Sequence, residues 1–81
     1  MPKLLTLSGK ELLRIFAIFD FHPFSQRGSH IKLRRISPSG VRQTLTIVSH
    51  AEVDRGTLHA IYRQALRFIP ETELRSHFYS E

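Results

Sequence analysis

No cysteine occurs among these 81 residues. Its absence rules out disulfide frameworks, thiolate nucleophiles and thiolate metal sites, and it fits a reducing compartment. Long apolar runs are missing as well: the longest, Ile15-Phe16-Ala17-Ile18-Phe19, falls far short of a membrane span. The start, Met1-Pro2-Lys3-Leu4-Leu5-Thr6, lacks the apolar stretch and small-residue cleavage site of a secretory signal. An intracellular, soluble, cytoplasmic protein is therefore expected. There is no internal repeat, low-complexity tract or linker, so residues 1–81 should form one small domain. At 41% hydrophobic content its core is thin and its stability modest.

The most telling gap is in acidic residues. Twelve Lys and Arg against seven Asp and Glu give a net charge of +5, but the excess is unevenly placed. Between Asp20 and Glu52 no acid occurs, while Arg27, Lys32, Arg34, Arg35 and Arg42 all fall in that interval. Cations that cluster rather than alternate with acids are the electrostatic footprint of a polyanion binder or of an acidic protein partner.

The hydrophobic pattern orders the chain as helix, strands, helix. Ser8-Gly9-Lys10-Glu11 is a capping box, flanked by Leu7 and Leu12 at the hydrophobic-staple positions. Leu12, Ile15, Phe16 and Phe19 then recur at helical spacing. Asp20 to Gln26 should hold a turn and a short strand, and Pro23, which has no N–H to donate, confines that strand to an edge or breaks it. Two better strands follow, Ser29–Ile36 and Arg42–Val48, joined by Ser37-Pro38-Ser39-Gly40 with the residues of a type I turn. Leu58, Ile61, Tyr62, Ala65, Leu66 and Ile69 define a second helix ending at Pro70, with Arg55, His59, Arg63 and Arg67 as a basic stripe opposite. Pro70-Glu71-Thr72-Glu73 opens a short final helix, its acids favoured by the dipole. One apolar sheet face covered by helices makes this a two-layer α+β fold in the order α-β-β-β-α.

The chemistry concentrates at Gln26-Arg27-Gly28-Ser29-His30. Side chains alternate along a strand, so Ile31 and Leu33 point one way and His30, Lys32 and Arg34 the other. An imidazole, the side chain that ordinarily titrates near neutrality, thus lies in a row with fixed cations. RNA cleavage without a metal needs a base for the 2′-hydroxyl proton, donors for the phosphate charge and an acid for the leaving oxygen. His30 fits the base or the acid role. Arg27, Lys32 and Arg34 are candidates for the phosphate, and the amides of Gly28 and Ser29 for an anion-binding turn. The plain alternative is a strand histidine on a solvated face. His50 is a candidate second proton-transfer group, or a surface histidine. No histidine pair has the i, i+4 helical spacing of metal ligands, and neither metal nor cofactor is expected. The stripe Arg55, His59, Arg63, Arg67 fits an RNA backbone, an acidic partner, or a solvated face with Arg67 paired to Glu71. Phe16, Phe19, Tyr62 and Phe68 fall mostly at core spacing, so no base-stacking platform is evident and weak sequence preference is expected.

These pieces, in this order, resemble the HicA (YcfA-like) toxin family of bacterial toxin–antitoxin systems. The resemblance runs through Leu7-Ser8-Gly9-Lys10-Glu11, Gln26-Arg27-Gly28-Ser29-His30, the strand–turn–strand, Ser49-His50, Arg55-Gly56-Thr57-Leu58 and Ile61-Tyr62-Arg63-Gln64-Ala65. It implies a fold like the double-stranded RNA-binding domain, endoribonuclease activity on mRNA, His30 as the catalytic histidine, and a HicB-like antitoxin as the suppressing partner. Two departures stand out. Asp20-Phe21-His22-Pro23 replaces the family's usual glycine and proline-free first strand, and no glycine follows Ala65. A non-catalytic RNA-binding module of the same fold, and a domain that binds an acidic protein, are the competing readings.

Overall fold

The computed structural model describes residues Met1–Glu81. Its elements are β1 (Lys3–Leu4), α1 (Gly9–Ile18), β2 (His22–Arg27), β3 (His30–Ile36), β4 (Arg42–Val48), α2 (Arg55–Ala65), α3 (Glu71–Phe78) and β5 (Tyr79–Ser80). The α-β-β-β-α order is present, the layout of a double-stranded RNA-binding domain, with a terminal clasp added to it.

The start of α1 is built by its capping box. The Ser8 hydroxyl accepts from the Glu11 N–H at 3.1 Å, and the Glu11 carboxylate accepts from the Ser8 N–H at 2.9 Å. These bonds hold the Glu11 carboxyl below its ordinary range, the bond to the Ser8 backbone most of all. Leu7 and Leu12 are both buried, as the staple requires. At the other end Asp20 takes φ 67°, the left-handed position that usually calls for glycine. Asp20 donates to Ala17 O and Phe21 to Phe16 O, which closes the helix and turns Phe21 into the core. So Asp20 does the work of the absent glycine.

The main sheet is antiparallel in the order β2-β3-β4. Pro23 lies on edge strand β2, where its missing N–H faces no partner. The register shifts between Pro23 and Ser25, leaving Phe24 unpaired. Gly28, at φ 58°, makes the tight turn between β2 and β3. The Ser37–Gly40 turn closes with Gly40 N–H donating to Ser37 O at 2.8 Å. Ile31, Leu33, Leu45 and Ile47 bury one sheet face against Leu12, Phe16, Leu58, Ile61 and Ala65 of α1 and α2. The chain is only 17 Å deep in its thinnest direction, enough for a sheet and one helical layer.

Two close approaches lock the helices to β4. A Cβ on Gly9 would lie 2.6 Å from both Ser49 Cα and Val48 O, so only glycine fits where α1 meets the end of the strand. The Gly9 N–H also donates to His50 O at 2.8 Å. Along the outer edge of β4, the Gln64 side chain accepts from Thr46 N–H and donates to Thr46 O, both at 3.0 Å. A single α2 amide thereby satisfies both outward main-chain groups of Thr46 and interrupts an edge that would otherwise offer itself for strand pairing.

One expectation is corrected. Helix α2 starts at its Asp54 N-cap but stops at Ala65, not at Pro70. Arg67 and Phe68 donate to carbonyls three residues back, a tighter winding, and Ile69, ahead of a proline, is disfavoured from helical geometry. The short C-terminal helix is present as expected and is anchored in the core. Leu74 and Phe78 are fully buried, with the Phe78 ring 6.0 Å from Phe16 and 5.1 Å from Tyr62. Strand β5 then pairs antiparallel with β1.

Candidate functional site

The acid-free stretch supplies five cations, and the sheet sorts them. Counting by two along β3 puts His30, Lys32 and Arg34 on the open face, while Arg35 falls with Ile31 and Leu33 toward the helices. There Arg35 bonds the Gln43 side chain, Phe19 O at 3.1 Å and Phe68 O at 2.7 Å, and its guanidinium stacks 4.7 Å from the Phe21 ring centre. It ties the end of α1 to the turn after α2. Arg35 is a structural residue, although its charge reads in the sequence as part of the basic cluster.

His30 is the first residue of β3, opposite Arg27 on β2 and Val48 on β4. The next row across the sheet is Ser25, Lys32 and Thr46, and beyond it His22, Arg34 and Thr44. Ser25, Gln26, Arg27, His30, Lys32 and Thr46 line one open cleft with no apolar side chain in it. His30, Arg27 and Lys32 are exposed, and Arg34 is half-buried. Strands β2 to β4 contain no acid, and the two ion pairs of the fold, Arg75 with Glu71 and with Glu81, lie on α3 and at the C-terminus. The cleft's positive charge is therefore not neutralised from within the chain.

The turn leading to His30 is held from both sides. Gln26 Nε2 donates to Gly28 O at 3.0 Å, and Ser49 N–H donates to Ser29 O at 2.8 Å. With the carbonyls engaged, the Gly28 and Ser29 amides donate to no other group of the fold and stay free beside the histidine. Such a site can hold a phosphodiester and move a proton next to it.

The other histidines lie apart. His50 follows β4, where its charge helps hold the Asp54 carboxyl low, a smaller influence than the Thr57 hydrogen bonds; it is not among the residues lining the cleft. His59 bonds Arg63 on α2 at 3.3 Å, and His77 packs edge-on against Phe19. Arg55 and His59 border a separate depression beside Lys3. Arg67 leaves the stripe with the end of α2 and stacks 5.5 Å from Phe68, and Glu71 bonds Tyr62 and Arg75 instead of Arg67.

Gln26, which opens the motif singled out in the sequence, lines the cleft, whereas sequence reasoning missed Ser25 and Thr46, whose places depend on strand register, and Phe24. The bulge after Pro23 turns Phe24 onto the open face with Arg34, whose guanidinium lies 3.8 Å from its ring centre. Pairing of this kind cannot be read from alternation once a proline has broken it.

The whole is a two-layer α+β fold with one basic, acid-free sheet face and a histidine at the mouth of a glycine turn. The family model described as the HicA toxin of bacterial toxin–antitoxin systems matches residues 9–66. The chain belongs to this family, and is a toxin of a toxin–antitoxin system. No curated protein and no solved structure matches it. The matched span takes in the cleft and both long helices, and leaves β1, α3 and β5 outside it.

Proposed function

We propose that residues 1–81 act as one domain, an endoribonuclease that cleaves mRNA in the cytoplasm with His30 as its single catalytic histidine and without a metal. One observation carries this reading: an exposed imidazole, free of internal hydrogen bonds, stands between Arg27 and Lys32 in an acid-free cleft and next to the open amides of Gly28 and Ser29. Arg27, Lys32 and those amides hold the phosphate, and Arg34 extends the charged row along the strand. His30 takes the proton from a 2′-hydroxyl, whose oxygen attacks the adjacent phosphorus. The bond from phosphorus to the 5′-oxygen breaks, and that oxygen leaves with a proton returned by the imidazolium. The products are a 2′,3′-cyclic phosphate and a 5′-hydroxyl. The toxin is held in check by a partner, a HicB-like antitoxin whose acidic surface complements the basic face and covers the open cleft.

Induced expression should arrest growth, and His30→Ala should relieve the arrest while the purified variant keeps its circular dichroism spectrum and its RNA binding. A folded His30→Ala protein that still arrests growth would remove the assigned role. Growth arrest with RNA binding but no cleavage by the unaltered chain would favour the non-catalytic module.

A further inference from the structure

Phe24 is 45% exposed on the face that carries His30, although aromatic residues elsewhere in the chain mostly serve the core. Its neighbour Arg34 lies under one face of the ring at 3.8 Å. The covered Nε of Arg34 has no hydrogen-bond partner, and Arg34 forms no ion pair. This guanidinium is held by stacking rather than by a polar anchor. The bulge between Pro23 and Ser25 puts the ring there, because regular pairing of β2 would have left residue 24 no such place over Arg34.

We propose that Phe24, backed by Arg34, is a base-stacking subsite that sets where the chain binds single-stranded RNA. The inference rests on the ribonuclease reading above and adds a specificity-determining residue to it. His30 and Arg34 are four residues apart on β3, about 13 Å along the strand. Lys32 lies between them, so a phosphodiester at His30, a neighbouring phosphate at Lys32 and an unstacked base on Phe24 follow one another along a single extended RNA segment. The occupant is nucleic acid rather than an acidic peptide because the platform is a flat π-face with a cation behind it, continuous with the phosphate-binding row. Such a platform takes every base and favours purines, whose larger rings stack more strongly. It gives a preference displaced from the scissile bond, and a more definite one than the weak preference that the core spacing of the other aromatics suggested.

The test uses the non-cleaving His30→Ala chain and a four-nucleotide oligouridine, short enough that only one register fills the His30, Lys32 and Phe24 positions together, carrying one 2-aminopurine moved position by position. Fluorescence should quench on binding at one or two adjacent positions only. Adding Phe24→Ala should abolish that localised quench and weaken binding by about 5- to 150-fold, whereas Phe24→Trp should restore both. Phe24→Leu, which keeps apolar bulk without a π-face, should behave like the alanine variant. Quenching that is unchanged in Phe24→Ala, or equal at every position, overturns the proposal and leaves the patch to a protein partner. A localised, Phe24-dependent quench in a chain whose His30 form never cleaves RNA would sustain the stacking subsite and refute the nuclease reading.

Discussion

Arg35→Ala should unfold this protein more readily than any change at the other cations of the acid-free stretch. The side chain makes two hydrogen bonds to main-chain carbonyls, Phe19 O and Phe68 O, besides its bond to Gln43 and its stacking on Phe21. A charged donor on a carbonyl contributes about 1.5–3 kcal/mol net, and an aromatic stack about 0.5–1 kcal/mol more at a solvent-facing position. Arg35 is half-buried, so water recovers part of this, and a total near 3 kcal/mol is expected. Domains of this size have roughly 5–15 kcal/mol to lose, and about 3 kcal/mol corresponds to a fall in Tm of roughly 12–24 °C. Urea titration followed by circular dichroism reads the change directly. Arg35→Lys, with the charge but not the planar fork, should fall between alanine and the parent. Lys32→Ala, on the exposed face, should move the midpoint by no more than about 0.5 kcal/mol. An Arg35→Ala protein as stable as Lys32→Ala would refute the division of the cations by sheet face.

Three further outcomes follow from other parts of the structure. Gly9→Ala should destabilise by about 1–3 kcal/mol in the same titration, against the gain that alanine brings to an open helix position, because its Cβ would meet backbone atoms at 2.6 Å. The Tyr62 phenol, which donates to Glu71 at 3.0 Å, is pushed up to about 12, by burial first and then by that bond. Its contribution to stability is whole below about pH 10, where a free tyrosine ionises, and is lost as pH rises toward the folded value; urea midpoints across that window should fall, and Tyr62→Phe should flatten the fall. RNA affinity should drop with salt along a logarithmic slope of about −0.7 per phosphate contact, and Lys32→Ala should reduce the slope by about that amount in a filter-binding series.

Much of the frame is legible in the sequence because local chemistry agrees with the fold. Ser8 and Glu11 announce α1, strict alternation announces β3, and Ser37 to Gly40 announce the hairpin that ends with Arg42–Val48 as its second strand. What escapes is set by contacts distant in sequence. No local signal shows that Gln64 will satisfy Thr46, that β1 will pair with β5, or that Phe78 will pack on Phe16. Past Ala65 the winding tightens ahead of Pro70 and Arg35 holds Phe68 O, so periodicity alone runs α2 too far. Arg35 itself is a signal that was present: the count that puts Ile31 and Leu33 inside puts it inside too. His30, Lys32 and Arg34 reach the open face as alternation requires, whereas Phe24 reaches it only through a bulge.

Toxicity by RNA cleavage requires His30 to transfer a proton at a phosphodiester. The most direct measurement incubates purified chain with end-labelled RNA in the presence of EDTA and identifies the product ends, alongside His30→Ala and a substrate with a 2′-deoxy sugar at the mapped cleavage site. The parent chain should cleave to 2′,3′-cyclic phosphate and 5′-hydroxyl ends, with no cleavage by His30→Ala and none at the deoxy position. Equal cleavage by His30→Ala, or cleavage that proceeds through the deoxy sugar, would rule out the histidine-driven attack of the 2′-oxygen.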